Sequence, residues 1–401
     1  MNKPFHDSHH VIERVEQYLS SKLSEYAEFN EELNSSATVK VGSDGPKVTI
    51  LSLSDANIAY KYDVSDILYW VERDTYFDEL EKWNGVKLEE KHQAVVDFLK
   101  QSEQFPSFLD LVDAIRRQRV APFVGAGISF GVGYPLWGKA LERLATQIGG
   151  DDLLKQIKND LSCYRYLKVA ELLYQKNDAY FDNFVQTEFR LKAAQEDEKP
   201  VFPPVIELLP RLASSCVITT NFDRLIEKRF EQLKGKPLDG YMYGKQEQNG
   251  FVSQLLKGEH CLMKLHGDSG QPKSYVFTES QYDEAYGENG KIDFSKQLPR
   301  SLRQIYISHS LLFLGCSLEQ DRTLELFHSV KQQGHFEIPE HFAFLPQPQP
   351  IEAAEKKGRL LGLNIKPIWY KVENHDHSML EMLLDLALDV AAKKYSLRSV
   401  W

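Results

Sequence analysis

Two short runs hold most of the residues able to do chemistry. Thr219-Thr220-Asn221-Phe222-Asp223 gathers hydroxyls, an amide and a carboxylate, and Lys264-Leu265-His266-Gly267-Asp268 adds an ammonium, an imidazole and a second carboxylate. An imidazole of ordinary pKa exchanges protons near neutrality, and an amide orients a water or a hydroxyl. Each run also has a plainer reading: Asp223 is a good helix cap, and a lone histidine at a strand end is more often structural than catalytic. Two glycine turns accompany them. Gly125 and Gly127 flank Ala126, with Ser129, Gly131 and Gly133 close behind, and Gly315-Cys316-Ser317 precedes Asp321. Glycines there let a ligand approach the backbone, and amides at the start of a following helix can face a phosphate; tight structural turns use glycine too. The first turn is not the usual dinucleotide fingerprint, because Phe130 stands where that pattern wants a glycine. Beside Gly315, the Ser317 hydroxyl suits a ribose or a phosphate, or a helix cap.

The elements around these turns repeat one plan. "VAPFVG", "SCVIT", "CLMK" and "SLLFLG" are apolar runs of strand length, each ending in one of the polar turns, and helical spacing follows three of them. "HFAFLP" and "NIKPIWY" are two further strand candidates, and "HSMLEMLLDLALDVAAKK" is a final helix. Strands alternating with helices predict an α/β fold with a doubly wound parallel sheet, whose ligands sit at the carboxyl ends of the strands. A helical stretch from Leu136 to about Lys192 interrupts the alternation, with breaks near Gly149, Gly150 and Asn177. "SFLDLVDAIRRQR" reads as a helix capped by Ser107. Before it, "ATVKVGSDGPKVTILSLS" reads as two strands around a turn, and "SDILYWVERDTYFDELEKW" and "LEEKHQAVVDFLKQ" read as helices, with "QSEQFPS" as a boundary. The expected organisation is an N-terminal α+β unit over residues 1–105 and a second domain over 106–401, with a helical insert at about 138–205. His9 and His10 are expected on the surface.

The chain has 401 residues, a net charge of −10 and a pI of about 5.7, a poor basis for a broad basic face, so direct nucleic-acid binding is not expected. Its four cysteines, Cys163, Cys216, Cys261 and Cys316, form no CxxC pair, so neither a zinc site nor a disulfide framework is expected. No apolar run is long enough to span a bilayer, and the N-terminus lacks the apolar core of a signal peptide; a cytoplasmic protein with no membrane partner is expected.

Taken in order, "GAGIS", "TTNFD", "LHG" and "GCS" resemble the motif set of the sirtuin-type (SIR2-like) NAD-binding domain, over roughly Val120 to Pro367. The resemblance implies a Rossmann-like sirtuin fold that takes NAD as its substrate. It places Gly125, Ala126, Gly127 and Ser129 on the diphosphate, and Ser317 on the adenosine-side ribose or phosphate. Pro135, Trp137, Thr220, Gly315 and Asp321 complete the binding set. Asn221 and His266 become the catalytic pair, with Asp223 fixing the nicotinamide amide or the asparagine loop. The longer loop after Gly127 covers the nicotinamide end, which accounts for Phe130.

Departures from the deacylases narrow that implication. No four-cysteine ribbon follows His266, Pro135-Leu136-Trp137-Gly138 stands where sirtuins carry an arginine, and Thr220 replaces a glutamine. These features are similar to those of bacterial SIR2-like NAD hydrolases of anti-phage defence. The implied reaction releases nicotinamide and ADP-ribose, in an abortive-infection effector. Such an effector is expected to be a homo-oligomer or to have a companion defence protein, whether an ATPase, an Argonaute-like protein or a nucleotide-processing enzyme. The alternatives are an NAD-dependent protein deacylase or ADP-ribosyltransferase, and a non-catalytic NAD- or nucleotide-sensing subunit.

Overall fold

The computed structural model describes residues 26–35, 47–51, 59–191, 201–246, 250–319 and 322–397. They divide into two compact units, Met1–Ala94 and Val95–Trp401. In the first, strand β1 (Lys47–Leu51) pairs antiparallel with β2 (Ala59–Asp63). "KVTIL" is a strand, as expected, and pairs with the downstream "AYKYD"; the upstream strand expected across the turn lies outside the described residues, as do His9 and His10. Helices Ala27–Ser35, Val64–Val71 and Arg73–Gln101 complete the described elements here; the break falls at Glu72, and a single helix runs through Trp83 to Gln101 where two were expected. Phe29, Tyr69, Tyr76 and Leu80 form a small core there, and the Tyr76 hydroxyl donates to Asn30 Oδ1 at 2.7 Å.

The second unit is built on a seven-stranded, wholly parallel sheet. Its strands are β3 (Val120–Val124), β4 (Cys216–Thr219), β5 (Gly240–Tyr243), β6 (Cys261–Lys264), β7 (Ser310–Leu314), β8 (His341–Pro346) and β9 (Ile365–Tyr370). Their spatial order is β5-β6-β4-β3-β7-β8-β9. This is the expected doubly wound α/β fold. Alternate residues of each strand feed opposite faces. Val124, Val217, Leu262, Leu312 and Phe344 join one core, and Phe123, Ile218, Met263, Phe313 and Leu345 join the other. With both faces covered, the strands need apolar residues at nearly every position, which is why they read as continuous apolar runs.

β3 lies between β4 and β7, so the chain winds outward from it in both directions. The carboxyl end of β3 is therefore the switch point where such sheets form a crevice. Helices Trp137–Ser162, Tyr166–Lys176 and Asp178–Glu188 occupy the expected helical stretch; the first is kinked at Gly150, and Asn177 caps the last. The helix expected from Ser107 begins earlier, at Phe105, with Pro106 in its first turn. Gln104 precedes it and uses its side chain on β9, accepting from the Trp369 amide and donating to the Trp369 carbonyl.

The glycines of the first turn answer to packing between strand ends. Gly315, at φ 66°, follows β7 in a conformation that favours glycine. Its carbonyl would stand 2.5 Å from a Cβ on Gly125 and 2.9 Å from one on Gly127. Gly125→Ala should therefore lower the melting temperature markedly, because the obstacle is backbone. Gly131→Ala, with nothing within 4 Å of its Cβ, should melt like the parent or slightly higher. Equal melting temperatures for parent and Gly125→Ala would contradict this packing.

Candidate functional site

Strand register places the four polar turns side by side. Val124 pairs with Thr219 and with Leu314, and Thr219 pairs with Lys264. The residues just beyond these positions are Gly125, Thr220, Leu265 and Gly315, so the next steps along neighbouring strands reach Asn221 and His266. The Thr220 amide donates to the Val124 carbonyl and the Leu265 amide to the Thr219 carbonyl, which carries the ladder into the turns. Sequence separation between the motifs is thus closed by the sheet itself.

The turn after β3 is tied inward. The Gly125 amide donates to Leu314 and the Gly127 amide to Gly315. Ser129 is buried, and its hydroxyl oxygen accepts from Asn221 Nδ2 at 2.9 Å; the same nitrogen donates to the Gly125 carbonyl at 3.2 Å. In this state Gly125 and Ser129 hold Asn221, and of the amides assigned to a diphosphate those of Gly125 and Gly127 already have protein acceptors. The other end of the Asn221 amide is different. Oδ1 is buried and has no hydrogen-bond partner, although the residue is only 6% exposed. An unpaired buried acceptor costs roughly 1–3 kcal/mol, so it marks a place where a donor from outside would be welcome.

His266 is equally enclosed, at 4% exposure. Trp137 meets its ring at 4.7 Å between centroids in an edge-on arrangement, and Phe277 meets Trp137 in the same way at 4.5 Å. Nε2 lies 2.6 Å from the Tyr282 hydroxyl, whereas Nδ1 is buried with no partner. Burial pushes the imidazole pKa down to about 3, and the nearby Thr220 carbonyl opposes this only weakly. This corrects the expectation of titration near neutrality. An imidazole packed against Trp137 and Phe222 loses the hydration that a charged ring requires, so His266 is neutral across the physiological range.

A buried lysine to which the sequence assigned no role, Lys264, organises these turns. Lys264 ends β6 and is fully buried; its Nζ donates to the Phe222 and Asp223 carbonyls at 3.1 and 2.5 Å, and to Glu227 and Asp268 at 2.9 and 3.0 Å. Burial alone would lower its pKa, but Glu227, Asp268 and Asp223 together raise it. Asp268 is wholly buried and also takes a forked contact from Arg224. Burial would raise its pKa, and Lys264 and Arg224 bring it below the ordinary value. Asp223 and Glu227 go the other way: burial raises both against the pull of Lys264. Asp223 accepts from the Leu225 amide at 3.1 Å, the capping-type role allowed for it. A lysine closing an apolar strand, four residues before an aspartate, was the available signal for this network.

The remaining candidates are spread around this centre. Pro135 is buried and Trp137 and Thr220 are half-buried. Gly315 packs on the β3 turn, while Ser317 is exposed and its carbonyl accepts from Lys356. Asp321 lies outside the described residues. Among the described residues no group of three or more His, Cys, Asp or Glu side chains could hold a metal ion, and no helix is long and apolar enough to cross a membrane.

Asn221 and His266 thus follow the carboxyl ends of neighbouring strands in a doubly wound parallel sheet, the edge where α/β folds of this kind take their ligands. The family described as "SIR2-like domain" matches residues 215–368. The match begins after the helical insert, so the glycine turn at 125–133 lies before it. The chain is 27% identical over 249 residues to "NAD(+) hydrolase ThsA" of Bacillus cereus (strain MSX-D12), covering 61% of this chain and 47% of that protein. It is 22% identical over 298 residues to "Defense-associated sirtuin 2" of Bacillus subtilis, covering 71% of this chain and 27% of that protein. It is 28% identical over 208 residues to "NAD(+) hydrolase ThsA" of Acinetobacter baumannii (strain 532279), covering 52% and 38% respectively. The matches thus cover less than half the length of these curated relatives.

Two measurements check the site's energetics. Lys264→Met leaves buried carboxylates without their cation, so it should cost about 3–5 kcal/mol and lower the melting temperature accordingly; an unchanged melting curve would contradict the network. Below about pH 6.5 the unfolded chain protonates its histidines, whereas folded His266 stays neutral down to about pH 3. Stability should therefore fall with pH in that window, by up to about 1.4 kcal/mol per unit for this group. Asp223 and Glu227, with raised pKa values, oppose the trend in parent and variant alike. His266→Gln should lose less melting temperature than the parent between about pH 7 and pH 5, and an equal loss would show that the ring is not buried neutral.

Proposed function

We propose that the chain is an NAD hydrolase that cleaves the nicotinamide–ribose bond to give nicotinamide and ADP-ribose. The observation that carries this reading is the pair of partnerless buried atoms, Asn221 Oδ1 and His266 Nδ1, on neighbouring strand ends of a SIR2-like domain. The names of the ThsA relatives, NAD(+) hydrolases, support it.

The chemistry is modest in its demands. Nicotinamide in NAD is cationic, so it leaves with the electron pair of the glycosidic bond and becomes neutral without an acid. The enzyme must hold an oxocarbenium-like ribose and deliver water to its anomeric carbon. Asn221 Oδ1 accepts from a ribose hydroxyl or from the water. His266, neutral and therefore able to accept, takes the proton released as water adds, directly or through the ribose hydroxyls. Asp223 and Thr220 shape the asparagine turn; Gly125, Ala126, Gly127 and Ser129 line the diphosphate side, with Pro135, Trp137, Gly315 and Ser317 around it.

The same reading extends to biology. The protein acts in the cytoplasm as an abortive-infection effector in anti-phage defence, a role supported by the name of the Bacillus subtilis relative, a defense-associated sirtuin. Residues 1–105 serve regulation or assembly, within a homo-oligomer or with a companion defence protein. The enclosure of Asn221 and His266 fits an enzyme silent at rest, with Trp137 displaced before substrate enters.

The test is incubation of the purified chain with NAD, alone and with extract of phage-infected cells, followed by separation of nicotinamide and ADP-ribose. Both products should form without any peptide. Asn221→Ala and His266→Ala should each reduce the rate by about 10²–10⁴ while melting near the parent temperature. Product only with an acetylated peptide would point to a deacylase, and binding without turnover in either condition to a sensing subunit.

A further inference from the structure

We propose that Tyr282 is a positioning residue for His266, its phenol oxygen accepting the Nε2 proton and so leaving the Nδ1 lone pair facing the substrate. The inference rests on the hydrolase reading for its kinetic consequence, though not for its structural one.

The geometry around the ring leaves few choices. Trp137 lies edge-on against His266 at 4.7 Å and the Tyr282 ring at 5.7 Å, so the imidazole is held between them. Of its two nitrogens, Nε2 is 2.6 Å from the Tyr282 hydroxyl and Nδ1 has no protein partner. Nδ1 is therefore the atom left for a ligand. A neutral imidazole carries one proton, and its position decides what Nδ1 can do. With the proton on Nδ1, His266 could only donate to the substrate. With it on Nε2, Nδ1 accepts, as the removal of a proton from water or a ribose hydroxyl requires. In that step the O–H bond of the nucleophile breaks, a new N–H bond forms at Nδ1, and the Nε2–H bond to Tyr282 is kept in the resulting imidazolium.

Tyr282 is well fixed for this task. It lies in the helix Glu279–Tyr286, whose start is closed by a reciprocal capping box between Thr278 and Gln281. Glu171, from the insert helix Tyr166–Lys176, accepts from the Ser280 amide and hydroxyl at 3.0 and 2.8 Å in the same first turn. The Tyr282 ring stacks on Tyr286 at 5.6 Å, and the His266 carbonyl accepts from the Val276 amide just upstream. The helix carrying the phenol and the turn carrying the imidazole are thus joined by backbone as well as by side chain.

Nitrogen NMR of the full chain with ¹⁵N-labelled histidine reads the tautomer directly, His266→Gln identifying the signal. The parent should show protonated Nε2 and unprotonated Nδ1. Tyr282→Phe removes only the hydroxyl; it should move the proton toward Nδ1 and lower kcat for NAD about 10–100-fold, with KM changed by no more than about 3-fold. A parent ring protonated at Nδ1 overturns the proposal, and this needs no variant to fold. So does a Tyr282→Phe chain with the parent's tautomer and kcat. If the tautomer shifts as expected and yet the parent itself never cleaves NAD, the assignment of Tyr282 stands and the hydrolase reading falls.

Discussion

The buried ammonium of Lys264 is the interaction on which the site depends. It lies at the end of β6 with no exposure to water, and it holds the carbonyls of Phe222 and Asp223 while neutralising Glu227 and Asp268. Two backbone carbonyls of the turn after β4 are thereby bound to the strand that carries His266. A charge so deeply placed is tolerable only when its donors are all satisfied, so the turn cannot relax without exposing an uncompensated ion. Asn221 sits immediately before those carbonyls and His266 two residues beyond the lysine. Their mutual placement is therefore a consequence of ion solvation by protein.

Around that centre the polar groups divide by what they already hold. Asn221 Nδ2 is fully engaged with Ser129 and Gly125, and His266 Nε2 with Tyr282, which fixes both side chains. Their other ends, Oδ1 and Nδ1, face inward with nothing to bond. A protein that aligns two side chains by one end and leaves the other end unpaired bears a stability cost, and such costs gather at working sites. The aromatic cover of Trp137, Phe222 and Phe277 keeps the imidazole neutral and the site dry. Water exclusion of this kind strengthens each polar contact made to a substrate.

Much of the frame was legible because its signals are local. The buried strands β3, β4, β6 and β7 announce themselves as apolar runs stopping at polar turns, and the parallel order follows from their alternation with helices. Asn221 and His266 stood out as polar residues at strand ends, and only the resemblance of the four motifs taken in order made them the catalytic candidates. The rest depended on contacts distant in sequence. β5, "GYMY", is an edge strand buried only at alternate residues, so it makes no continuous apolar run. The pairing of β1 with β2 joins two strands that no turn signal marked as partners. Gln104 hides its role because its hydrogen bonds reach Trp369. Tyr282 lies in a polar stretch that carries no motif, and the low pKa of His266 comes from neighbours contributed by other segments. The glycines of the first turn were read as making room for a ligand; in the structure they first make room for the Gly315 backbone.

The central claim is that Asn221 Oδ1 and His266 Nδ1 are the two protein atoms waiting for the ribose of NAD. A crystal structure of the full chain with ADP-ribose tests it most directly. The account predicts the nicotinamide-side ribose at the carboxyl ends of β4 and β6, with a ribose hydroxyl within about 3.2 Å of Asn221 Oδ1, His266 Nδ1 facing the anomeric carbon, and Trp137 moved from the imidazole. Ligand bound at another edge of the sheet, with both atoms still unpartnered, would contradict it.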